Sequence, residues 1–404
     1  MENKTESITK IVERAGNVLM STYGRTPVAF ERGEGCRIWD QDGRVYLDFL
    51  AGIAVTALGH SHPRVVERLK EQAGRLLHTS NLYYIEPQIA LAEQLLAHSF
   101  ADKVFFCNSG TEANEGAIKL ARRYSLERYG GDKTTILCML NSFHGRTLGS
   151  LSATGQEKFQ KGFGPLLPGI SFVPFDDLKA LDDQWTETVC AVMMEPIQGE
   201  GGIRVPAADF LKEVKKRCQD RQALLILDEV QTGLGRTGTF FAYEQFDAQP
   251  DIMTLAKALG NGLPIGALLA NEEVAKAFQP GTHAATFGGN FLVTAVAQTV
   301  LSVILEEGFL PEVRRIGAYF KERLLHLQEK FPQEILDVRG RGLLVGLALN
   351  RPGKPFVDAC LEKGFLINCT QDTILRFTPP LIIKEEAIDA LVDTLEHLFK
   401  ELPA

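Results

Sequence analysis

Ile252-Met253-Thr254-Leu255-Ala256-Lys257-Ala258-Leu259-Gly260 sets a single lysine inside a strongly apolar stretch. Upstream, Ala223-Leu224-Leu225-Ile226-Leu227-Asp228 is a second apolar run that ends on an acid. Apolar surroundings disfavour the charged form of a lysine, so its pKa falls and its amine becomes a usable nucleophile. An aspartate at the carboxyl end of a buried strand can hold a cationic ring nitrogen in place. An amine able to form a Schiff base and a carboxylate that keeps a pyridine ring protonated are the two parts a pyridoxal phosphate site requires. The competing reading of Lys257 is a half-buried side chain whose stem packs while its head reaches water.

Outward from these runs, apolar segments of strand length alternate with helix-period segments. The spacing predicts strands at Lys103–Cys107, Thr135–Leu140, Ser171–Pro174, Val189–Met194, Leu224–Leu227 and Ile265–Leu269. Between them, Ile89, Ala92, Leu95 and Leu96 share a helical face after a Pro87 suited to a first turn. Ala113, Ala117, Leu120, Ala121 and Tyr124 form a second stripe. Strands buried on both faces and separated by helices imply a mostly parallel sheet in an α/β layer, with ligands gathering at the strands' carboxyl ends. A smaller α/β unit is expected from about residue 300. Its strands are read at Gly342–Leu349, Gly364–Cys369 and Thr373–Phe377, followed by a helix with Ile388, Leu391, Val392, Leu395 and Leu398 on one face. Near the start, Gly33-Glu34-Gly35-Cys36-Arg37-Ile38-Trp39-Asp40 and Gly43-Arg44-Val45-Tyr46-Leu47-Asp48 read as short strands joined by tight turns that pack with this unit. The expected division is a small domain from 1–55 and 301–404 around a large domain at 56–300.

The 404 residues, 45% of them apolar, suffice for a large core and about two domains. A formal net charge of −8 and the lack of a long Lys/Arg run argue against a nucleic-acid or acidic-membrane partner. The start, Met1-Glu2-Asn3-Lys4-Thr5-Glu6-Ser7, is polar and lacks the apolar region of a secretory signal. No stretch approaches the roughly 20 continuous apolar residues of a membrane span. The seven cysteines form no CxxC motif or Cys/His cluster, and Cys107 and Cys190 lie inside apolar runs. They read as buried thiols of a reducing compartment. A cytoplasmic protein without a metal site is expected.

Cys107-Asn108-Ser109-Gly110-Thr111-Glu112-Ala113-Asn114 joins a strand to a helix through a glycine turn. The first N–H groups of such a helix are unpaired and meet the positive end of its dipole, which makes an anion site. Gly110 permits close backbone approach and Thr111 adds a hydroxyl donor; an ordinary N-cap with nothing bound is the alternative. No lysine follows at P-loop spacing, so a nucleoside triphosphate is not expected. Asn141-Ser142-Phe143-His144-Gly145-Arg146-Thr147 follows the next strand. There Phe143 can stack on a planar ring and Arg146 can grip a carboxylate at two points, although a core Phe and a surface Arg would look the same in isolation. Glu195-Pro196-Ile197-Gln198-Gly199-Glu200-Gly201-Gly202 ends another strand, and Glu200 on its glycine-flanked loop can pair with an arginine or simply face water. Gly199-Glu200-Gly201 and Gly340-Arg341-Gly342 lack the strand–GxGxxG–helix context of a dinucleotide site.

Taken in order, these segments resemble the fold-type I, class-III pyridoxal phosphate aminotransferases, and within them the acetylornithine aminotransferase group. The likeness covers nearly the whole chain. Besides the segments above it includes Gly52–Pro63, Ser80-Asn81-Leu82-Tyr83-Tyr84, Asp228-Glu229-Val230-Gln231-Thr232-Gly233, Lys257-Ala258-Leu259-Gly260-Asn261-Gly262, Thr286-Phe287-Gly288-Gly289-Asn290 and Arg376-Phe377-Thr378-Pro379-Pro380. The resemblance implies a large domain with a mostly parallel seven-stranded sheet, a smaller α/β domain built from both chain ends, and pyridoxal 5′-phosphate as cofactor. It implies transfer of the terminal amino group of N2-acetyl-L-ornithine to 2-oxoglutarate in arginine biosynthesis. Ornithine, succinylornithine, succinyl-diaminopimelate and 4-aminobutyrate are the alternative donors, and a silent binding protein on the same fold is the non-enzymatic alternative.

Carried over residue by residue, the resemblance makes Lys257 the Schiff-base lysine and proton shuttle, with Asp228 on the ring nitrogen. Glu229, Val230 and Gln231 line the cofactor, with Gln231 on the phenolic oxygen, and Phe143 stacks on the ring. Gly110 and Thr111 hold the phosphate together with Thr286 of the neighbouring subunit, so the enzyme would be a homodimer. Arg146 and Arg376 would take substrate carboxylates, and Glu200 would neutralise Arg376 whenever no carboxylate occupies it. One departure stands out: relatives commonly carry a serine where this chain has Ala285, which bears on the acyl group accepted.

Overall fold

The computed structural model describes residues 7–402, so the polar stretch Met1–Glu6 lies outside the described residues. Strands β1 (Phe30–Glu34), β2 (Arg37–Asp40) and β3 (Val45–Asp48) come first. The central strands follow: β4 (Lys103–Cys107), β5 (Thr135–Met139), β6 (Ile170–Val173), β7 (Val189–Met194), β8 (Leu224–Asp228), β9 (Ile252–Leu255) and β10 (Gly266–Ala270). Last come β11 (Ile335–Arg341), β12 (Leu344–Leu349), β13 (Phe365–Leu366), β14 (Asn368–Thr370) and β15 (Ile374–Phe377).

The central sheet has the order β4-β10-β9-β8-β7-β5-β6. From β9 to β6 all neighbours are parallel, while β10 runs antiparallel to both β9 and β4. Every residue of β7, β8, β9 and β10 is buried, as strands covered on both faces by helices must be. β9 is the strand that the six expected from spacing left out. Its apolar run resumes with Ala258 and Leu259 directly after Lys257, so composition alone does not separate the short strand from the turn that follows. The chain leaves the sheet at Lys257, whose φ is +44°, in the left-handed region a lysine seldom occupies. Asn261 pins that turn: its Oδ1 accepts from the Leu58 amide at 2.7 Å and its Nδ2 donates to the Gly59 carbonyl at 3.1 Å.

Helix Gly110–Tyr129 buries Ala113, Ala117, Leu120 and Ala121, and also the polar Asn114. Helix Glu86–Leu96 departs from expectation, burying Pro87, Leu91 and Leu95 while Ile89 is 45% exposed. Of the expected face, Leu95 is buried and Ala92 and Leu96 pack against the core, so the face is turned only enough to leave Ile89 at its edge.

The two chain ends meet in the sheet β1-β2-β3-β13, where β13 lies parallel to β3 with Phe365 opposite Leu47. A further sheet has the order β11-β12-β15-β14. β11 was not legible because charged Asp337, Arg339 and Arg341 interrupt its apolar residues. The single strand read at 364–369 is instead split between the two sheets as β13 and β14. Helix Glu385–Glu401 buries Ile388, Leu391, Val392, Leu395 and Leu398, as their spacing predicted. Among the described residues no single helix is long and apolar enough to cross a membrane. No group of three or more His, Cys, Asp or Glu side chains there could hold a metal ion.

Candidate active site

A cavity of about 440 Å³ opens at the carboxyl ends of the central strands. Lys257, Asp228, Gly110, Thr111, Phe143, Arg146, Glu200, Val230 and Gln231 all line it. Its floor is Asp228, 3% exposed at the end of β8. Oδ2 of Asp228 accepts from Asn114 Nδ2 at 2.8 Å and from His144 Nδ1 at 2.7 Å, and Oδ1 accepts from the Val230 amide at 3.0 Å. Asn114 is itself fixed, accepting from Thr254 Oγ1 at 2.7 Å and donating to the His144 carbonyl at 2.7 Å. Donating to a carboxylate requires the His144 proton on Nδ1, and its Nε2 is buried with no partner among the described residues. The carboxylate is thus oriented from three sides.

Lys257 is half-buried and makes no hydrogen bond among the described residues. Burial pushes its pKa down; the Glu200 carboxylate opposes the shift and the Arg376 cation reinforces it. The result is an amine more readily neutral than an ordinary lysine, aimed into the same cavity as Asp228.

At the other end, Ser109 caps the helix Gly110–Tyr129 by accepting from the Glu112 amide at 3.3 Å, and the Ala113 amide bonds to the Ser109 carbonyl at 3.1 Å. The amides of Gly110 and Thr111 keep no acceptor among the described residues. Oγ1 of Thr111 accepts from the amides of Arg146 at 3.1 Å and Thr147 at 3.3 Å and lies 3.0 Å from Thr147 Oγ1, a pair in which either hydroxyl can donate. A Cβ on Gly110 would lie 2.8 Å from Val230 Cγ1, so only glycine lets the helix start approach the end of β8 this closely.

On the substrate side, Arg376 in β15 is 1% exposed and ion-paired with Glu200. Its Nε donates to Asn368 Oδ1 at 3.1 Å and its Nη1 lies 3.4 Å from Gln231 Oε1. Burial alone would raise the Glu200 pKa, but the contact with Arg376 outweighs it and the net shift is downward. Arg146 is exposed at the mouth, its guanidinium 4.0 Å above the Phe159 ring and 5.4 Å from that of Phe143. It has no carboxylate partner among the described residues.

Arg376 meets the cavity through Glu200, which lines it, and two other expected residues lie elsewhere. The Glu229 carboxylate turns away from the cavity and accepts from the Ala242 and Tyr243 amides, both at 2.8 Å, and from Thr232 Oγ1 at 2.9 Å. Side chains alternate along extended chain, so with Asp228 and Val230 facing the cavity Glu229 cannot. Thr286 sits on an exposed loop outside this chain's own cavity.

Sequence reading gave no role to Asn114, His144 or Glu195, all of which line the cavity. Glu195 is 5% exposed; its Oε2 accepts from the Phe143 amide at 3.2 Å and its Oε1 from the Gly199 amide at 3.0 Å. Burial raises its pKa to about 7, with His144 opposing and Asp228 adding to the shift. Strand register is the signal that finds it: Met194 pairs with Leu227, so Glu195 leaves β7 where Asp228 ends β8.

The donor set fits pyridoxal phosphate. Two unspent helix-start amides and a hydroxyl suit a phosphate, a flat aromatic side suits the ring, and a fixed buried carboxylate and a free amine lining one cavity suit a pyridine nitrogen and an aldehyde. The family model for aminotransferase class-III matches residues 19–399. An acetylornithine aminotransferase of Caldanaerobacter subterraneus is 52% identical over 385 residues, covering 95% of this chain and 98% of that protein. Among solved structures, N-acetylornithine aminotransferase from Stenotrophomonas maltophilia aligns with a TM-score of 0.83 at 37% identity, covering 96% of this chain and 98% of that one. Ornithine aminotransferase from Toxoplasma gondii, described with partial occupancy of PLP at its active site, aligns with a TM-score of 0.94 at 33% identity over 98% of this chain and 96% of that one. With a family match across almost its whole length and a relative more than half identical, the chain belongs to the class-III aminotransferases.

Proposed function

We propose that this pyridoxal-phosphate-dependent aminotransferase takes the terminal amino group of N2-acetyl-L-ornithine and passes it to 2-oxoglutarate, yielding N-acetyl-L-glutamate 5-semialdehyde and L-glutamate in arginine biosynthesis. The observation that carries the reading is the Glu200–Arg376 ion pair at the wall of a cavity that also holds Lys257 and Asp228. The bound cofactor supplies an aldehyde for the amine and a ring that draws electrons from the carbon beside it.

The chain's own residues do the rest. Asp228, held by Asn114 and His144, keeps a proton on the ring nitrogen. Lys257 would hold the cofactor through Nζ, and its amine, eased toward the neutral form by burial, would serve as the base that moves the proton of the substrate carbon. Gly110 and Thr111 would hold the phosphate, and Phe143, Val230 and Gln231, which line the same cavity, would hold the ring. Arg146 grips the α-carboxylate of acetylornithine and later the distal carboxylate of 2-oxoglutarate.

Specificity for two different substrates falls to Glu200. The amine-bearing carbon of acetylornithine has no carboxylate, so Arg376 would then be a buried unpaired charge, which is costly. Glu200 neutralises it in that half-reaction and yields it to the α-carboxylate of glutamate in the other.

A homodimer completes the reading. Thr286 would serve the phosphate of the partner subunit, and its loop carries Phe287, 61% exposed, with Leu82 at 84% and Tyr84 at 96% nearby in sequence to the segment that braces it. That bracing is explicit: Asn81 Nδ2 donates to the carbonyls of Ala285 at 3.2 Å and Gly288 at 3.0 Å. Exposed apolar side chains gathered on two joined loops call for a covering surface. The division at residues 55 and 300 is supported by the β3–β13 pairing of the two chain ends. A cytoplasmic site is supported by seven free cysteines, five of them buried.

Mixing the purified, cofactor-loaded protein with acetylornithine, ornithine, succinylornithine, succinyl-diaminopimelate and 4-aminobutyrate, and following cofactor absorbance from aldehyde to amine form, tests the donor. Acetylornithine should convert it fastest; a faster ornithine or 4-aminobutyrate reaction would overturn the assignment.

A further inference from the structure

The two largest fully buried side chains are both arginines, Arg376 and Arg236. Arg376 has the Glu200 carboxylate. Arg236, 1% exposed, has no carboxylate in contact among the described residues. Its Nη1 donates to the carbonyls of Leu343 at 3.0 Å and Pro379 at 2.6 Å, and its own carbonyl accepts from the Leu343 amide at 3.0 Å. Its Nη2 is buried with no partner among the described residues. Burial works against the charge, and nearby Asp48 offsets only part of that. An apolar side chain of similar size would fill this space without the penalty of burying a charge, but it could not tie two carbonyls together, as the two N–H groups of Nη1 do.

The groups it ties together matter. Arg236 lies on the loop that follows β8 and carries Gln231. Leu343 is in the turn between β11 and β12, and Pro379 comes three residues after Arg376. The seam is closed down to backbone contact at Gly342, with φ +54°, where a Cβ would lie 2.7 Å from the Arg236 carbonyl oxygen. One side chain therefore fixes both the loop bearing Gln231 and the strand bearing Arg376, whose side chains approach to 3.4 Å.

We infer that Arg236 is a positioning residue for carboxylate recognition, bolting the strand of Arg376 to the cofactor-side loop so that Arg376 exchanges Glu200 for a substrate carboxylate without its backbone moving. The inference rests on the reading of Arg376 as the group that takes the α-carboxylate of glutamate. With the bolt removed, strand and arginine can follow Glu200 together. The dicarboxylate half-reaction then loses its pre-set receptor, while the acetylornithine half-reaction, which needs the Glu200–Arg376 pair closed, is nearly untouched.

The test compares Arg236→Met, Arg236→Lys and Arg376→Gln as cofactor-loaded dimers in single turnover with acetylornithine and with glutamate. Arg236→Met should raise the glutamate concentration for half-maximal rate by about tenfold or more. Its limiting rate, and its acetylornithine half-reaction, should stay within about threefold of the unmodified enzyme, a change under 1 kcal/mol by the tenfold-per-1.4 rule. Arg236→Lys, able to reach one carbonyl, should recover part of the loss. Equal losses in both half-reactions, or none, overturns the inference. If Arg376→Gln leaves glutamate unaffected, the reading of Arg376 falls and the inference with it; if only Arg376→Gln weakens glutamate, the inference alone falls. A measurement on the unmodified holoenzyme stands whether or not the variants fold. Saturating glutarate, a dicarboxylate, should slow hydrogen exchange at the Leu343 amide by about threefold or more relative to propionate, since coupling between two sites is reciprocal. Equal exchange with the two ligands overturns it.

Discussion

Replacing Glu200 by glutamine removes a charge from the Arg376 contact while keeping its shape, and the two half-reactions should respond in opposite senses. Arg376 has a side chain 1% exposed against 26% for Glu200, so the arginine bears the desolvation. Stripping a partner from a buried ion pair costs about 3–5 kcal/mol when nothing replaces it. Here Asn368 Oδ1 at 3.1 Å and Gln231 Oε1 at 3.4 Å still accept from Arg376, and the glutamine oxygen does so as well. The loss is then nearer the difference between a charge-assisted and a neutral hydrogen bond plus some residual repulsion, about 2 kcal/mol. With acetylornithine bound, that penalty stays in the site and should slow the half-reaction by about thirtyfold. With glutamate bound, the substrate carboxylate supplies the missing charge and no ion pair has to be broken first, so apparent affinity should hold or improve. Stopped-flow absorbance of the cofactor separates the two. Equal slowing, or a larger loss with glutamate, would refute the exchange of carboxylates at Arg376.

Two further outcomes are expected. The Glu195 carboxyl is raised from 4.5 to about 7, so between those values the folded protein holds a proton that the unfolded chain has released. Stability contributed by this group is therefore lost as pH rises through that window, by about 3 kcal/mol in all. Denaturation of apoprotein from pH 4.5 to 8 should show Glu195→Gln gaining on the unmodified chain by roughly that amount across the window; parallel curves would contradict the shift. Mixed dimers of Lys257→Ala and Thr286→Val chains should regain one normal cofactor site per dimer, because each intact Lys257 then faces an intact Thr286 of the partner. Failure to regain tight binding, measured by cofactor titration, would mean that Thr286 does not act across subunits.

The parts of the site that could be read from sequence are those in which chemistry and local structure coincide. Lys257 and Asp228 stand out in company: a lone lysine in an apolar run more often packs its stem and reaches water, and it is the set of motifs at successive strand ends, with the glycine turn at 110 marking a helix start, that points to chemistry. What stayed hidden depends on tertiary register. Glu195 looks like one acid among several until β7 is laid beside β8, and Asn114 looks like an ordinary helix residue until Asp228 is brought to within 2.8 Å of it. The partnership of Glu200 and Arg376 came only from the family resemblance, because one follows β7 and the other lies in β15 of a different sheet, so no local pattern encodes it. Glu229 shows the converse: the family resemblance placed it along the cofactor, while its carboxylate turns to the amides of Ala242 and Tyr243. In the fold, β11 escaped notice because its charged residues broke the apolar pattern, and Ile89 lies outside the buried stripe because helical periodicity fixes a face only to within a few tens of degrees about the axis.

The central claim is that Lys257 Nζ carries the cofactor beside Asp228. Reducing the holoenzyme with borohydride, digesting it and sequencing the labelled peptide tests this most directly. The label should fall on the lysine within Ile252–Gly260, and Lys257→Ala should bind pyridoxal phosphate without becoming labelled. A label on any other lysine, or undiminished labelling of the Lys257→Ala protein, would contradict the account.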